Sequence, residues 1–316
     1  MLLAEPSVLD SGAIDASVRK PVISRVDAEP LLTPGISLGR YRLHLRFPQG
    51  LALTEFPGFA FHGTLGAALH QISPDAFSLL FGDRDIVRPW MLADLCAKLS
   101  PDTSAAVELR LFNGASRHLP EIIGAFMLAG AGGLGADRHP FVLERIEALA
   151  PQGEAARTLS FKECAAVDEH PLGHWCLVRP AGEGGVSIAF RTPTLLKEGN
   201  AIVQAPPSFR LLMARIFSRL SLLANEKAID PESKARWLAM AEQVEIIDAN
   251  ARWQRQSRYS GRQKQTMPFG GLIGDIRYSA PAARFAPWLE AASMIGVGGK
   301  TTFGLGQIAW SVEQNN

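Results

Sequence analysis

The stretch that decides the fold is "GVGGKTTFGLG", residues 296–306, in which five of eleven positions are glycine. Residues 299–301 match the end of the phosphate-binding pattern G-x-x-x-x-G-K-[ST], but the first glycine of that pattern falls on Met294. A loop of that kind runs from a strand into a helix. Here residues 283–294 carry apolar side chains at helical spacing, and residues 308–312 alternate as in a strand. The order helix, glycine loop, strand argues against a nucleotide-binding enzyme.

A second glycine-rich stretch, "GAGGLG" at residues 130–135, has the same surroundings. A predicted helix over 119–128 precedes it, and a short strand from Phe141 follows it. Its letters fit G-x-G-x-x-G, but a dinucleotide fingerprint follows a strand and opens a helix. Two copies of one arrangement indicate an internal duplication.

The order of predicted elements indicates an α+β protein with two tandem ferredoxin-like domains of the β-α-β-β-α-β type. In the second copy, strands at 185–196, 244–249, 270–280 and 308–312 alternate with helices, one of which begins at Ser208 as N-cap. We predict an irregular lead-in over 1–37, an N-terminal domain over 38–150, a connector over 151–184 and a C-terminal domain over 185–316.

Composition narrows the class of protein. The 316 residues are 47% hydrophobic and 20% charged, which is typical of a soluble globular protein. A formal net charge of +1 means that nucleic-acid binding would depend on local basic patches. Three cysteines do not make a disulfide framework, and no signal peptide or membrane span is predicted. We expect a cytoplasmic protein.

The C-terminal loop resembles the glycine-rich signature of the CRISPR-associated RAMP superfamily, in particular the endoribonucleases that process CRISPR repeat transcripts. That signature is glycine-hydrophobic-glycine, five residues that include Lys or Arg, and glycine-hydrophobic-glycine again. Residues 296–306 match it in spacing and in the internal Lys300. Further matching stretches are "FPGFAFHGTLGAAL" (56–69), "FRTPTLLKEG" (190–199), "RLLMARIFSRL" (210–220), "RYSGRQ" (258–263) and "GGLIGDIRY" (270–278).

The resemblance implies an enzyme without metal or other cofactor that binds CRISPR repeat RNA, as precursor and as mature CRISPR RNA. The ribose 2′-OH would attack the adjacent phosphate and leave a 2′,3′-cyclic phosphate and a 5′-OH. The alternative is a non-catalytic RNA-binding RAMP subunit of a CRISPR effector complex, whose other subunits would be further partners.

The reaction needs a base for the 2′-OH, a cation for the developing charge and a proton for the leaving oxygen. The resemblance places the catalytic histidine on the first helix, where His62 and His70 both lie. Because eight residues turn a helix by about 80° beyond whole turns, the two side chains point in different directions. We favour His62, at the helix start, over His70. Tyr259, rather than Tyr41 or Tyr278, is the tyrosine predicted to orient the phosphate.

The RNA-binding residues are expected in three places. Glycine N–H groups and Lys300 would form an anion-binding concavity in the loop. Arg215 and Arg219, one turn apart on the helix from Ser208, would share a face, and basic residues collect between 251 and 278. The full set is Gly296, Gly298, Gly299, Lys300, Gly304, Gly306, Arg215, Arg219, Arg258, Arg262 and Lys264.

One competing constellation lies in the connector. Cys164, His170, His174 and Cys176 are four potential zinc ligands within a short span. Their spacing fits no common zinc pattern, and the alternative is that they are ordinary loop and core residues.

Overall fold

The computed structural model describes residues 35–82, 87–151, 156–176, 184–224, 229–260 and 265–313, with side chains omitted at 256–260 and 265–268. Residues 1–34 of the predicted lead-in therefore lie outside the described residues, and Ser37 at its end already belongs to a strand. Within the described part of the chain, no helix combines the length and the apolar character needed to cross a membrane.

The N-terminal half forms one antiparallel sheet of order β3-β5-β1-β6-β7, with β8 beside β1. Its central order is that of a ferredoxin-like domain, in which the first and third strands are neighbours. The elements are β1 (Ser37–Phe47), β2 (Leu51–Ala52), α1 (Pro57–Ile72), α2 (Pro74–Phe81), β3 (Trp90–Ala93), β4 (Lys98–Leu99), β5 (Thr103–Phe112), α3 (Leu119–Gly132), β6 (Val142–Leu149), β7 (Arg157–Leu159), β8 (His170–Pro171) and α4 (Leu172–Trp175).

The C-terminal half repeats the arrangement, with an antiparallel sheet of order β12-β14-β9-β15 and with β13 paired to β14. The elements are β9 (Val186–Thr194), β10 (Lys197–Glu198), β11 (Ala201–Ile202), α5 (Phe209–Leu223), α6 (Pro231–Glu242), β12 (Ile246–Ala249), β13 (Arg252–Ser260), β14 (Gln265–Tyr278), α7 (Ala286–Ile295) and β15 (Ile308–Val312). The prediction of two tandem ferredoxin-like domains is confirmed. The domain boundaries at 150 and 185 stay a prediction.

Local signals explain where the principal elements form. Side chains of β1 alternate between buried and half-buried, so the odd-numbered apolar residues 41–47 face the core. Helix α5 begins where the Ser208 hydroxyl accepts a hydrogen bond from the Leu211 N–H at 3.2 Å. Helix α6 begins in the same way at Asp230, whose carboxylate accepts from the Ser233 N–H at 2.9 Å. The predicted N-cap at Ser208 is thus confirmed.

Several elements lie where the sequence predicted none. Helix α2 and strand β3 fill the region after α1, and the basic stretch from residue 252 is strand β13 of a long hairpin with β14. The connector is also ordered in part: β7 extends the N-terminal sheet, and β8 pairs with β1. Leu172 and Trp175 of α4 are buried in the C-terminal core. The connector therefore ties the two domains together.

The end of helix α7 is where the two domains are joined by polar contacts. The Arg110 guanidinium on β5 donates to the carbonyls of Ser293 and Met294, at 2.6 and 2.8 Å. Arg110 is in turn paired with Glu108 at 2.6 Å, and Glu108 also accepts two hydrogen bonds from Arg40. Burial opposes ionisation of Glu108, but the two arginines outweigh it and lower the pKa of its carboxyl group to about 2.

We expect Glu108→Gln to lower the free energy of unfolding by about 3 kcal/mol at pH 7, because it leaves Arg40 and Arg110 partly buried without their anion. The folded-state pKa of Glu108 lies below that of an unperturbed glutamate, about 4.3. Its stabilising contribution is therefore complete above that pH and is lost as the pH falls towards 2. Urea unfolding of both proteins at pH 7 and pH 3 should show a smaller difference at pH 3.

Glu144→Gln is the matched control, since Glu144 pairs with Arg46 on the exposed side of the same sheet. It should leave the stability nearly unchanged. A Glu108→Gln protein as stable as the wild type at pH 7 would contradict the assignment.

Candidate functional site

At four of its five glycine positions, the glycine-rich loop has a backbone conformation that only glycine adopts readily. Gly296, Gly298, Gly304 and Gly306 all have φ between 74° and 79°. A Cβ on Gly306 would lie 2.0 Å from the Val297 carbonyl oxygen. Gly299 differs, because its φ is ordinary and a Cβ there would meet only Leu195, at 3.6 Å from its side chain and 3.9 Å from its carbonyl oxygen.

The loop's N–H groups are mostly used inside the protein. The N–H of Gly296 donates to a carbonyl of α7, and that of Gly304 donates to a carbonyl within the loop. The N–H groups of Gly299 and Gly306 donate to the carbonyls of Leu195 and Pro193 at the end of β9. The prediction that these N–H groups form an anion-binding concavity is therefore wrong for these four glycines. A role of the loop in RNA binding depends on its side chains and on other positions, such as Gly298.

The loop lies between the domains. Gly304 approaches the Leu92 carbonyl of β3, and Gly58 at the start of α1 lies against the Phe303 carbonyl. A Cβ on Gly58 would be 1.6 Å from that oxygen, so the helix can only approach this closely because residue 58 is glycine. Phe303 also packs edge-to-face on Phe59 with 5.6 Å between ring centroids.

His62 stands one helical turn after Gly58 and touches the loop directly. Its ring is stacked on that of Phe303, with 3.8 Å between centroids and 13° between planes. Trp90 lies at 5.5 Å and 20°, and Phe81 contacts the imidazole edge-to-face at 4.8 Å. His62 is half-buried and is followed by the exposed Gly63. The aromatic contacts fix the plane of an imidazole that remains in part open to solvent.

Arg88 is the cation beside His62, and the sequence analysis did not identify it. Its Nη1 lies 3.5 Å from His62 Nε2, while Nη2 donates to the carbonyls of Phe81 and Gly82 at the end of α2. No local pattern around residue 88 indicates such a role. Only the packing of β3 beside α1 brings the two side chains together.

His70 is not part of this group. It lies eight residues further along α1, about 12 Å along the helix axis, and its exposed ring contacts Phe77 of α2 at 4.7 Å. The structure thus brings His62, and not His70, to the glycine-rich loop.

Lys300 is exposed at the surface of the loop and has a left-handed φ of 60°. Its Nζ lies 5.0 Å above the ring of Phe269 on β14. Phe269 packs edge-to-face on Phe59 at 5.1 Å, so the ammonium group is held next to the aromatic cluster that supports His62. This position suits a phosphate contact.

The predicted pairing of Arg215 and Arg219 on one exposed face is wrong for Arg219. That side chain is only 8% exposed, and its Nε donates to the Ile295 carbonyl at 2.8 Å. Burial lowers its pKa to about 10, which leaves the guanidinium charged at neutral pH. Arg219 therefore stabilises the start of the loop and is not placed to contact RNA. Arg215 is half-buried on the same helix.

The remaining predicted residues lie on or near the hairpin. The backbones of Arg258 and Tyr259 pair with Met267 and Thr266, next to the hairpin tip. Arg262 and Lys264 are outside the described residues. Tyr41 and Tyr278 are each 1% exposed, and burial raises the pKa of both phenols. Neither is open to a substrate.

The zinc interpretation of the connector is wrong for the residues that carry it. Cys164 is buried in the N-terminal core and Cys176 in the C-terminal core. His170 packs on Trp175. Among the described residues no group of three or more His, Cys, Asp or Glu side chains is close enough to hold a metal ion. Cys164 and Cys176 are therefore ordinary core residues, in agreement with the alternative interpretation.

Comparison with known proteins gives one informative family match. Residues 188–308 match the family model described as CRISPR-associated endoribonuclease Cas6, and residues 73–172 match a model described as an N-terminal domain. No curated protein is similar enough to match the chain.

Solved structures share the fold over most of the chain. Thermus thermophilus Cas6 (TTHB231) is 17% identical with a TM-score of 0.55, covering 88% of this chain and 99% of that chain. A Cas6 (TTHA0078) product complex is 16% identical with a TM-score of 0.52, covering 88% and 100%. A partial Cas6-RT-Cas1--Cas2 complex is 14% identical with a TM-score of 0.55, covering 89% of this chain and 47% of that chain. At these identities the likeness shows the fold.

Two ferredoxin-like domains with a glycine-rich loop packed between them are the fold that this chain shares with the solved Cas6 structures. The family model that matches residues 188–308 describes an endoribonuclease, which is the class of enzyme that the resemblance of the loop implied. Residues 188–308, which include the glycine-rich loop, match the CRISPR-associated endoribonuclease Cas6 family, so this part of the chain is similar to the endoribonucleases that process CRISPR repeat transcripts.

The close approach of α1 to the loop gives a test with an internal control. Gly58→Ala should lower the free energy of unfolding by about 1–3 kcal/mol, because the new methyl group overlaps the Phe303 carbonyl. Gly63→Ala on the same helix meets no atom within 4 Å, and it should raise stability by about 0.5–1 kcal/mol. Denaturant unfolding of both variants measures the difference. Equal effects at both positions would mean that the loop does not pack on α1 in this way.

Proposed function

We propose that this protein binds CRISPR repeat RNA and cleaves it without a metal ion, by attack of a ribose 2′-OH on the adjacent phosphate. The bond from the 2′-oxygen to phosphorus forms while the bond to the 5′-oxygen breaks. The products are a 2′,3′-cyclic phosphate and a 5′-OH. His62 accepts the proton of the 2′-OH, and the leaving 5′-oxygen takes a proton from solvent.

The observation that carries the proposal is the stacking of His62 on Phe303 of the glycine-rich loop. A general base has to keep its orientation while the substrate binds, and flat contacts with Phe303 and Trp90 restrict rotation of the imidazole. Histidine is the side chain best suited in general to proton transfer near neutral pH.

The substrate class is supported by the fold and by its relatives. A Cas6 of the same fold has been solved as a product complex, and we extend RNA binding to this chain through Lys300 on the loop and the basic hairpin of β13 and β14. RNA helices show little sequence in their deep groove. Recognition should therefore combine the shape of the repeat's stem with the edges of unpaired bases. Another Cas6 of this fold has been solved in a Cas6-RT-Cas1--Cas2 complex, and protein partners of this chain are proposed on that analogy.

If His62 transfers a proton, His62→Ala should slow single-turnover cleavage by roughly 10²- to 10⁴-fold in EDTA, with repeat affinity nearly unchanged. A 2′-deoxy substitution at the cut site should abolish cleavage, because it removes the nucleophile. His70→Ala is the matched control, since His70 lies on the same helix away from the loop.

Four outcomes would change the proposal. Slow cleavage by His70→Ala alone would move the base to that residue. Undiminished cleavage by both variants would place the base elsewhere, with Tyr259 the next candidate. Cleavage that EDTA abolishes would make the reaction metal-dependent, and tight repeat binding without cleavage by the wild type would leave a non-catalytic RNA-binding subunit.

Lys300→Ala should weaken repeat binding and flatten the plot of log affinity against log salt by about one phosphate contact. The ammonium group is exposed beside the site, and its loss removes one charge that releases counterions from RNA. Lys234→Ala, on α6, is a control of the same chemistry outside the loop. An unchanged slope for Lys300→Ala would show that the loop does not contact phosphate through this side chain.

A further inference from the structure

We infer that a groove beside α1 binds the unpaired nucleotides of the repeat that follow the cut site, with their bases turned towards the protein. The inference rests on the proposed function, because these nucleotides belong to the same RNA. The groove has a volume of about 770 Å³ and runs between α1, the end of α3 and the chain segments 52–55 and 133–138. We call it the α1 groove, and its lining includes Thr54, Thr64, Gln71, Gly132, Gly135 and Arg138.

The α1 groove begins next to the candidate base. Phe59 and Gly63 both line it, and they lie within one helical turn of His62 on α1. Residue 63 points about 100° around the helix from residue 62, and a Cβ on Gly63 would meet no atom within 4 Å. A strand that leaves the cut site at His62 can therefore pass over residue 63 without meeting a side chain and enter the groove.

The stem of the repeat and the strand that follows the cut are expected on different domains. Lys300 and two exposed arginines of β13, Arg252 and Arg255, belong to the C-terminal domain. Contacts of such side chains with phosphates hold a duplex without reading its bases, so we place the stem there. The residues that line the α1 groove belong to the N-terminal domain. The groove is therefore available to the strand that continues beyond the stem.

The charge of the α1 groove favours bases over phosphates. Among the described residues that line it, Arg138 is the one cation, whereas Glu55 and Asp137 are anions. A surface with this balance does not attract a phosphate backbone. Thr64 and Gln71 offer uncharged donors and acceptors, which suit the edges of unpaired bases. We therefore expect the bases to enter the groove and the phosphates to face solvent.

The walls of the α1 groove let flat groups come close to the backbone, because they carry small residues. Ala67 on α1 and Ala136 after α3 are exposed, and a Cβ on Gly132 at the end of α3 would meet no atom within 4 Å. Pockets for small ligands have volumes of about 300–1,000 Å³. The volume of the groove is within this range, so the groove can take individual nucleotides but not a duplex stem.

The test uses the full-length protein and two forms of the repeat RNA. The extended form continues for several nucleotides past the cut and carries a 2′-deoxy group at the cut site, which keeps it intact. The product-length form ends at the cut. Gln71→Ala should weaken binding of the extended RNA by about 2- to 10-fold, as expected for the loss of one hydrogen bond. Ala67→Leu, which fills the groove, should weaken it at least as much. Both variants should bind the product-length RNA with wild-type affinity, which also shows that they are folded.

Ala235→Leu is the matched control, since Ala235 is an exposed alanine on α6 of the other domain. It should change neither affinity. A photoreactive 4-thiouridine at the first nucleotides past the cut should crosslink to the wild type within residues 52–71 or 128–138. Unchanged affinity of both groove variants for the extended RNA would overturn the inference and leave the groove to a protein partner. Equal weakening of both RNAs would overturn it as well, because the effect would not depend on the nucleotides past the cut.

Failure of the wild type to bind or cut the repeat would overturn the proposed function and this inference together. A wild type that cuts the repeat but crosslinks outside the groove would overturn the inference alone.

Discussion

The capping of helix α7 by two arginines is the interaction on which the site depends. The carbonyls of Ser293, Met294 and Ile295 lie at the end of the helix, and they accept hydrogen bonds from arginine side chains. Arg110 comes from the N-terminal domain and Arg219 from the C-terminal domain, so a single helix end is held from both sides. Because the carbonyls carry partial negative charge, the two buried guanidinium groups are themselves stabilised there.

This anchoring determines where the glycine-rich loop begins. Gly296 follows the last capped carbonyl, and the left-handed φ values of the glycines then turn the chain back upon itself. The loop carries Phe303 to the start of α1, where the absent side chain of Gly58 lets helix and loop touch. His62, one turn further, receives its aromatic support from the same phenylalanine. Domain interface, loop and candidate base are therefore linked by direct contacts.

Glycine in this loop acts in a different way from glycine in a nucleotide-binding loop. In the latter the backbone N–H groups point at the ligand. Here the N–H groups of Gly296, Gly299 and Gly306 are used for hydrogen bonds within the protein. The glycines provide close packing between the domains, and we propose that the charged contacts with RNA are made by side chains such as that of Lys300.

The sequence by itself determined the two ferredoxin-like domains, the order helix, glycine loop, strand in each, the N-cap of α5 at Ser208 and the different directions of His62 and His70 on α1. These features depend on residues close in the chain: alternation, helical spacing, capping and the angle between positions on one helix.

Other features depend on residues far apart. Arg219 shows an outward-facing pattern on α5, but the carbonyl of Ile295 draws it into the interior. The contact of Arg88 with His62 forms only when β3 packs beside α1, and the two cysteines of the connector enter separate cores. Local periodicity fixes which face of an element is apolar, whereas only the tertiary structure decides which polar group a buried carbonyl or an imidazole finds as its partner.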